Sequence, residues 1–385
     1  MAKLKLTYPV FRHAASLTSG TGALRVLADG LDPHRTLYIS TSSTAVGDAL
    51  AAAIGPAGGR LDAGNHFVKP PGEPGVAGIE AAAAFIGDRL THTIVAVGGG
   101  SVLDLARLAW ARSAGLLDLA GGGQLVAGVP AERPRFWLVP TTCGTGAEAA
   151  DVAVYERADG RKQAIVTPLF MADRVILDAR LLHGLRPAQI AGFVCDVLSH
   201  AIEAYLSLVP SYLGRESAAS ALQIILANYP AAPTPSRLER LLEASFQGGV
   251  AAANCSVGIV HAAAHSLGVD GVSHGVANAA GLLDGLRFNA AVPQMANLLA
   301  RIGLHNVDEL AGKLAPVIAD ALGELTIESP VWRLADPGYR RTIAERMLDD
   351  TAIRSNPRRP ANDEEVLQYL ADVHRTVEGL CRRTS

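Results

Sequence analysis

Five ionisable side chains, four of them in pairs at helical spacing, could together hold a metal ion. Asp196 and His200 are four residues apart, as are His261 and His265, and His274 follows nine residues later. A spacing of four puts two side chains on one face of a helix, and a carboxylate with imidazoles suits a divalent ion such as Fe²⁺ or Zn²⁺. The plainer interpretation is that each histidine is an ordinary core or surface residue and that Asp196 and His200 form a hydrogen-bonded pair. The apolar, Ala- and Gly-rich surroundings favour the metal site, because buried ionisable groups need partners.

A glycine-rich turn follows a β-like run in the segment TIVAVGGGSVLDLARLAW, residues 93–110. Glycines let backbone N–H groups approach a phosphate closely, and the start of the following helix adds positive potential. The alternative is that Ser101 and Asp104 form a capping box and that the turn serves only tight packing. The pattern is not the G-x-G-x-x-G fingerprint after a first strand, so an ordinary Rossmann dehydrogenase is not indicated.

A second glycine loop, VPTTCGTGAEAADV at 139–152, follows the strand-like run RFWLVP. Thr141, Thr142 and Thr145 offer hydroxyl groups beside flexible glycines, which suits a ribose or a phosphate. Two such loops at the ends of neighbouring strands favour a dinucleotide in the crevice beside a parallel sheet.

The elements that must position these residues change character along the chain. Short β-like runs alternate with helical stretches in the first part, in the order 36–40, 44–54, 78–90, 93–97, 102–112 and 135–140. Such alternation predicts a parallel, doubly wound sheet. After about residue 180 helical periodicity dominates. We therefore predict an α/β, Rossmann-like N-terminal domain over 1–180 and an all-α C-terminal domain over 181–385, which ends in a surface helix.

The bulk composition excludes several classes of protein. The chain has 385 residues and a net charge of −3, with acidic and basic residues mixed, so no nucleic-acid surface or polybasic membrane anchor is expected. The N-terminus MAKLKLTYPVFRHA has no apolar signal core, and no apolar run reaches membrane-spanning length. The four cysteines are far apart and form no CxxC pair. A cytoplasmic protein is therefore expected.

Four motifs taken together resemble the iron-containing (group III) alcohol dehydrogenases. They are GGGSVLD (98–104), PTTCGTGAE (140–148), DVLSHAIEAY (196–205) and HAAAHSLG…SHGVANA (261–279). Shorter matches extend the resemblance, in order, over nearly the whole chain, at 19–24, 175–182 and 356–366. The resemblance implies a dehydroquinate synthase-like fold, with an NAD(P)-binding α/β domain and a helical metal-binding domain. In that family the metal and the nicotinamide meet in the cleft between the domains.

The resemblance also implies roles for individual residues. The metal ligands would be Asp196, His200, His261 and His274. His265 would lie beside the metal without binding it and would serve in proton transfer. The cofactor-binding residues would be Gly99, Gly100, Ser101, Asp104, Thr141, Thr142, Thr145 and Lys162. The implied cofactors are NAD(P)H and either Fe²⁺ or Zn²⁺.

The implied activity is that of a metal-dependent, NAD(P)-linked alcohol dehydrogenase or aldehyde reductase. A hydride would pass between nicotinamide C4 and a small aldehyde or primary alcohol whose oxygen the metal polarises. The alternatives are a specialised reductase of the phosphonoacetaldehyde, maleylacetate or glycerol type, a sugar-phosphate cyclase, and a non-catalytic NAD(P)-binding sensor. The family also implies a homodimer or a larger homo-oligomer.

Some positions depart from the family pattern. Thr41 and Ser42 stand where an aspartate often holds the adenosine ribose, which permits NADP(H). Arg107 stands where lysine is frequent. The loop 265–274 is one residue shorter than usual, with serine at two positions where proline is common. Glu203 either orients a ligand or is an ordinary surface carboxylate, and it is left out of the predicted site.

Overall fold

The computed structural model describes residues 10–55, 61–119, 123–126, 130, 132–160, 162–229 and 234–384. These residues form two compact units, one within 13–185 and 234–246 and the other within 10–12, 186–229 and 247–384. The first unit is α/β and the second is helical, so the predicted fold class is confirmed. The boundary after residue 180 stays a prediction. The first nine residues, which bear on the expectation about a signal core, lie outside the described residues.

The α/β unit is built on a six-stranded parallel sheet, accompanied by two short antiparallel hairpins. The strands are β1 (Leu17–Ser19), β2 (Thr36–Thr41), β3 (His66–Lys69), β4 (Thr93–Gly98), β5 (Leu117–Asp118), β6 (Gln124–Leu125), β7 (Phe136–Pro140), β8 (Val152–Glu156), β9 (Lys162–Val166) and β10 (Arg174–Leu177). The order in the sheet is β1-β10-β7-β4-β2-β3, and every pairing in it is parallel. The hairpins are β5–β6 and β8–β9.

Helices cover both faces of this sheet. The helices of the chain are α1 (Val26–Gly30), α2 (Thr44–Ile54), α3 (Val76–Ile86), α4 (Gly100–Ser113), α5 (Pro187–Leu206), α6 (Tyr212–Asn228), α7 (Pro235–Cys255), α8 (Ile259–Gly268), α9 (His274–Phe288), α10 (Pro293–Ile302), α11 (Val307–Leu322), α12 (Pro337–Asp349) and α13 (Asp363–Thr384). On one face Tyr38 and Val97 pack with Leu50 of α2. On the other face Phe136 meets the indole of Trp110 on α4 edge-on, with ring centroids 5.8 Å apart. The sheet is therefore doubly wound, and its central strands are buried on both sides, as their continuous apolar sequence requires.

Helix α4 begins directly after its strand, and this excludes the capping-box interpretation. Gly99 is the N-cap residue, no side chain caps the helix, and Ser101 is already its second residue. Ser101 and Asp104 therefore do not form the box that their spacing permits, and the capping-box interpretation is wrong. The glycine turn remains available for a ligand.

The helical unit is organised around α5, which is buried over most of its length and packs against α6, α9 and α11. Helices α5 and α9 cross closely: a Cβ on Gly275 would lie 2.5 Å from the carbonyl oxygen of Gly192. Only glycine fits at such a crossing. Because Gly192 is one turn before Asp196 and Gly275 follows His274, this contact brings two of the predicted ligands to the same level. The last helix, α13, buries an apolar stripe that includes Val366 and Leu370.

Among the described residues no single helix is long and apolar enough to cross a membrane. Helices α7 and α8 together meet the length and composition of a span, but they are bent by 103° where they join.

Candidate metal centre and cofactor loops

Three histidine side chains converge on one carboxylate in the helical unit. Oδ1 of Asp196 lies 3.7 Å from Nε2 of His200, 3.4 Å from Nε2 of His261 and 3.3 Å from Nε2 of His274. The ligand atoms of Asp196, His261 and His274 all lie within 4.8 Å of one another. His200 belongs to the same cluster, because its ring stacks on His261 with centroids 4.6 Å apart. The structure therefore brings all four predicted ligands together.

The donors of this cluster fit a divalent transition metal. Nε2 of His261 is buried without a hydrogen-bond partner in the described part of the chain. Burial lowers the pKa of His200 to about 3, so its ring is neutral and can offer a lone pair. Burial by itself would raise the pKa of Asp196, but His200 and His274 hold that pKa well below its usual value. One ionised oxygen and three imidazole nitrogens, with no thiolate, form a donor set suited to Fe²⁺ or Zn²⁺.

The protonation of His261 has a consequence for metal binding. Burial lowers the pKa of this histidine, but the nearby carboxylates of Asp196 and Glu203 outweigh burial and raise the pKa to about 9. A divalent ion bound through Nε2 at neutral pH would therefore release a proton from this ring.

His265 lies beside the cluster and outside it. Its ring stacks on His274 with centroids 5.6 Å apart and meets His261 nearly edge-on at 5.9 Å. Its Nδ1 is 2.8 Å from Oδ2 of Asp350, and its side chain is 39% exposed. Nε2 of this partly exposed ring is thus the nitrogen left for another contact. This position agrees with a histidine that neighbours a metal without binding it.

Polar residues that were not predicted hold the cluster in place. Glu203 is buried and contacts Nδ1 of His261 at 2.6 Å. Asn278 is also buried and donates from Nδ2 to Oδ1 of Asp196 at 3.0 Å. Asp350 holds the neighbouring histidine as described above. Glu203 was left out of the predicted site as a residue that could equally lie on the surface; the structure shows that it does not.

The two glycine loops meet at the carboxyl edge of the parallel sheet. Gly98 of β4 and Pro140 of β7 are in register, and the N–H of Thr141 donates to the carbonyl of Gly98 at 3.0 Å. A Cβ on Gly100 would lie 3.0 Å from Oγ1 of Thr145, and one on Gly99 would lie 3.3 Å from the methyl group of Thr142. The threonines therefore lie against the N-terminus of α4. In an open parallel sheet this edge is where dinucleotides bind, with phosphate at the helix N-terminus.

Asp104 and Lys162 have other partners. Asp104 is buried; it accepts a hydrogen bond from the N–H of Val154 at 3.1 Å and lies 3.6 Å from Arg107. Burial raises its pKa to about 7. Lys162 is exposed at the start of β9 and forms an ion pair with Glu73 at 2.8 Å. Neither contact involves the glycine loops, and the assignment of both residues to the cofactor stays a prediction.

Arg107 has a larger role than its sequence position indicated. Its side chain is fully buried, and its guanidinium donates to four backbone carbonyls. Three of these carbonyls belong to the last part of the second glycine loop. The acceptors are Ala147 (2.9 Å), Ala150 (2.9 Å), Val152 (3.3 Å) and Phe170 (2.9 Å). A single guanidinium thus supports the segment that carries the second loop. The signal in the sequence was one arginine inside the otherwise apolar stretch LARLAW.

The end of β2, where NADP(H) would be distinguished from NAD(H), carries hydroxyl groups. Thr41 is the last residue of β2, and Ser42 is exposed after it. Thr41 pairs in register with Lys69 of β3. The ammonium of Lys69 is buried and donates to the carbonyls of Pro70 and Gly72. A lysine is therefore closer to this position than the sequence indicated, although backbone carbonyls already bind it.

Two family models match the chain. Residues 14–179 match the model of the iron-containing alcohol dehydrogenases. Residues 190–373 match the model of the C-terminal part of the Fe-containing alcohol dehydrogenase family. Together the two models cover both units.

Individual relatives agree with the family models. The probable alcohol dehydrogenase EutG of Salmonella typhimurium is 32% identical over 322 residues, which are 78% of this chain and 78% of that protein. The 1-propanol dehydrogenase PduQ of Salmonella typhimurium is 27% identical over 385 residues, which are 94% of this chain and 99% of that protein. The solved iron-containing alcohol dehydrogenase of Thermococcus thioreducens superposes with a TM-score of 0.81 at 24% identity, over 95% of this chain and 100% of that one. This last likeness concerns the fold alone.

Proposed function

This chain belongs to the iron-containing alcohol dehydrogenase family, and we propose that it interconverts a small aldehyde and its primary alcohol with NAD(P)(H) and a divalent metal. We propose that the metal is held by Asp196, His200, His261 and His274. The observation that carries the proposal is the convergence of three imidazole nitrogens within 3.7 Å of one carboxylate oxygen. A purely structural role for three buried or half-buried histidines does not account for this arrangement.

The residues of the centre have two proposed tasks, which are metal binding and proton transfer. When bound, a divalent ion polarises the carbonyl oxygen of the substrate and NAD(P)H supplies the hydride. Asp196 stays ionised and His200 stays neutral, so both can donate electron pairs at neutral pH. Asp350 engages Nδ1 of His265 and leaves its Nε2 to exchange a proton with the substrate oxygen, directly or through water.

The cofactor is proposed to bind at the two glycine loops. N–H groups at the start of α4 would bind the pyrophosphate, and the threonine hydroxyls would contact the ribose and nicotinamide. The residues concerned are Gly99, Gly100, Ser101, Thr141, Thr142 and Thr145. Because no acidic side chain follows β2 at Thr41 and Ser42, both NADH and NADPH are proposed to be accepted, with a preference for NADPH. Asp104 is proposed to support the glycine loops through its hydrogen bond with the N–H of Val154. Lys162 is proposed to contact the cofactor.

The proposed activity is tested by following NADH and NADPH oxidation against a panel of small aldehydes. The protein is purified anaerobically and loaded separately with Fe²⁺ or Zn²⁺, with a chelator control. Propanal belongs in the panel because one relative is a 1-propanol dehydrogenase. Phosphonoacetaldehyde, maleylacetate and dihydroxyacetone cover the specialised reductases. We expect turnover that depends on metal and is abolished by the chelator.

Two variants sharpen this test. His274→Ala removes a proposed ligand and should abolish both stoichiometric metal binding and turnover. His305→Ala removes an exposed histidine of the same helical unit and should change neither. Cofactor binding without turnover on any substrate and with either metal would contradict the proposal and favour an NAD(P)-binding sensor.

We also propose that the enzyme works as a homodimer or larger homo-oligomer in the cytoplasm. The cysteines support a reducing compartment, because Cys143, Cys195 and Cys255 are buried and are not joined in disulfides. Light scattering of the purified protein tests the oligomeric state: a monomer at micromolar concentration would contradict that part of the proposal.

A further inference from the structure

Glu203 lies on the same stripe of α5 as two of the proposed ligands. It follows Asp196 by seven residues and His200 by three, so all three side chains project from one face of the helix. Its carboxylate is 3% exposed, and both oxygens are engaged. Oε1 accepts the N–H of Val260 at 2.6 Å, and Oε2 accepts the N–H of His261 at 3.3 Å and contacts Nδ1 of the same residue at 2.6 Å.

Through these contacts a residue of α5 caps the N-terminus of α8. The first N–H groups of a helix have no partners within it, and Gly258, the N-cap residue of α8, has no side chain to supply one. Asn356 accepts the N–H of Ile259 at 3.2 Å, and Glu203 accepts the next two. A carboxylate at this end also interacts favourably with the helix dipole. The backbone N–H groups of α8 thus hold the carboxylate of Glu203 independently of its contact with the ring of His261.

We propose that Glu203 is the residue that positions His261 for metal binding. A carboxylate beside Nδ1 holds the proton on that nitrogen, so the lone pair of the neutral ring is on Nε2, which faces Oδ1 of Asp196 at 3.4 Å. One helix therefore supplies two ligands together with the residue that orients a third ligand on α8. This inference rests on the proposed metal site, and its subject is the affinity of that site.

Loss of such a partner of a metal-bound histidine lowers metal affinity by about 10–100-fold. Glu203→Gln keeps the size of the side chain but cannot accept three N–H groups, because one oxygen becomes an NH2 donor. We therefore expect the Kd for Zn²⁺, measured by competition with a chromophoric chelator, to rise by about 10–100-fold. The melting temperature is measured with and without saturating Zn²⁺ in the same samples.

Two controls separate positioning from support of the fold. Asn356→Ala removes the other cap of α8 without touching His261, so it should lower the melting temperature and leave the Kd for Zn²⁺ unchanged. Asp284→Asn removes the charge of a buried carboxylate on α9 that pairs with Arg287, and it should also leave the Kd unchanged. If Glu203→Gln lowers the melting temperature equally with and without Zn²⁺ and the Kd does not change, Glu203 only supports the fold and the inference is overturned.

A second variant answers the question if Glu203→Gln does not fold. A Cβ on Gly258 would lie 2.5 Å from Oδ1 of Asn356 and 2.9 Å from Oε1 of Glu203, so Gly258→Ala displaces both side chains while retaining the charge of the carboxylate. Asn356→Ala measures the effect of losing Asn356 alone, and the difference between the two variants reports on Glu203. We expect a weaker affinity for Zn²⁺ in this variant as well, and an unchanged Kd would overturn the inference. Failure of the wild-type protein to bind one Zn²⁺ would contradict the proposed function itself. Tight binding by the wild type and by both variants would contradict only the role of Glu203.

Discussion

Replacing the buried Arg107 by lysine is expected to destabilise the α/β unit. The guanidinium is fully buried, and its N–H groups reach the carbonyl oxygens of Phe170, Ala147, Val152 and Ala150 at 2.9–3.3 Å. An ammonium group has three donors and no planar fork, so at least one of the four carbonyls loses its partner. A buried polar group without a partner costs about 1–3 kcal/mol. We expect the free energy of unfolding to fall by that amount.

Urea unfolding followed by tryptophan fluorescence measures this change. Two of the three tryptophans, Trp110 and Trp137, lie in the α/β unit, so their emission reports mainly on that unit. The matched control is Arg112→Lys on the same helix. Arg112 is 40% exposed and pairs with Glu80 at 2.9 Å, and an exposed ion pair contributes at most about 1 kcal/mol. A second readout is the affinity for NADPH. It should fall because Arg107 holds the last part of the second glycine loop, where the cofactor is proposed to bind.

Equal stability of Arg107→Lys and Arg112→Lys would refute the reasoning, because it would mean that the carbonyls do not depend on the guanidinium fork. Arg107→Met extends the series. It removes every donor and also the counter-charge of Asp104, which lies 3.6 Å away. Breaking a buried pair in this way costs about 3–5 kcal/mol. The three variants should therefore rank in the order Arg112→Lys, Arg107→Lys, Arg107→Met, from least to most destabilised.

Three further changes have expected outcomes. Burial raises the pKa of Glu148 from 4.5 to about 7, so the stability that this group contributes is full below pH 4.5 and is lost as the pH rises through 7. Glu148→Gln should remove about 2.5 kcal/mol of the fall in stability between pH 5 and pH 8, measured by urea titration, and an unchanged difference between the two pH values would contradict this. Asp350→Ala removes the partner of Nδ1 of His265 and should lower kcat roughly tenfold or more with an unchanged metal content; an unchanged kcat would speak against the proton-transfer role. Thr41→Asp places a carboxylate at the end of β2 and should lower the ratio of kcat/KM for NADPH to that for NADH about tenfold; a constant ratio would show that the adenosine ribose lies elsewhere.

The parts of this molecule that the sequence predicted are those with a local periodic signal. The strands at 36–40 and 93–97 and the helix at 44–54 are confirmed, because alternation and helical spacing act over a few residues. The spacing of four predicted that Asp196 and His200 share one face of α5 for the same reason. It did not specify that His261 and His274 join them from α8 and α9; the family resemblance implied that set. The contacts that hold these residues span 58 residues for Glu203 and His261, 82 for Asn278 and Asp196, and 85 for His265 and Asp350. Such contacts depend on how helices pack, which no local pattern specifies.

Two missed residues nevertheless left a trace in the sequence. Glu203 continues the stripe that Asp196 and His200 begin, and a third ionisable residue on one face of an apolar helix indicates a buried partner rather than a surface. Arg107 is a charge inside the apolar stretch LARLAW of α4, three residues after Asp104. At both positions the signal in the sequence was a charge among apolar residues. A buried charge must be paired or hydrogen-bonded, so such a charge indicates a partner elsewhere in the fold.

The contacts that hold the proposed metal ligands differ from those that hold the loop between α8 and α9. The start of α9 is fixed by the crossing of Gly275 on Gly192 and by the hydrogen bond from Asn278 to Asp196, and neither contact involves the loop 269–273. That loop is held by other contacts, since Asp270 accepts hydrogen bonds from Tyr339 at 2.6 Å and from Arg346 at 2.9 Å. The contacts that place His274 are therefore separate from those that hold the loop between α8 and α9. The packing of α5 against α9 positions the proposed ligands Asp196 and His274 without the loop.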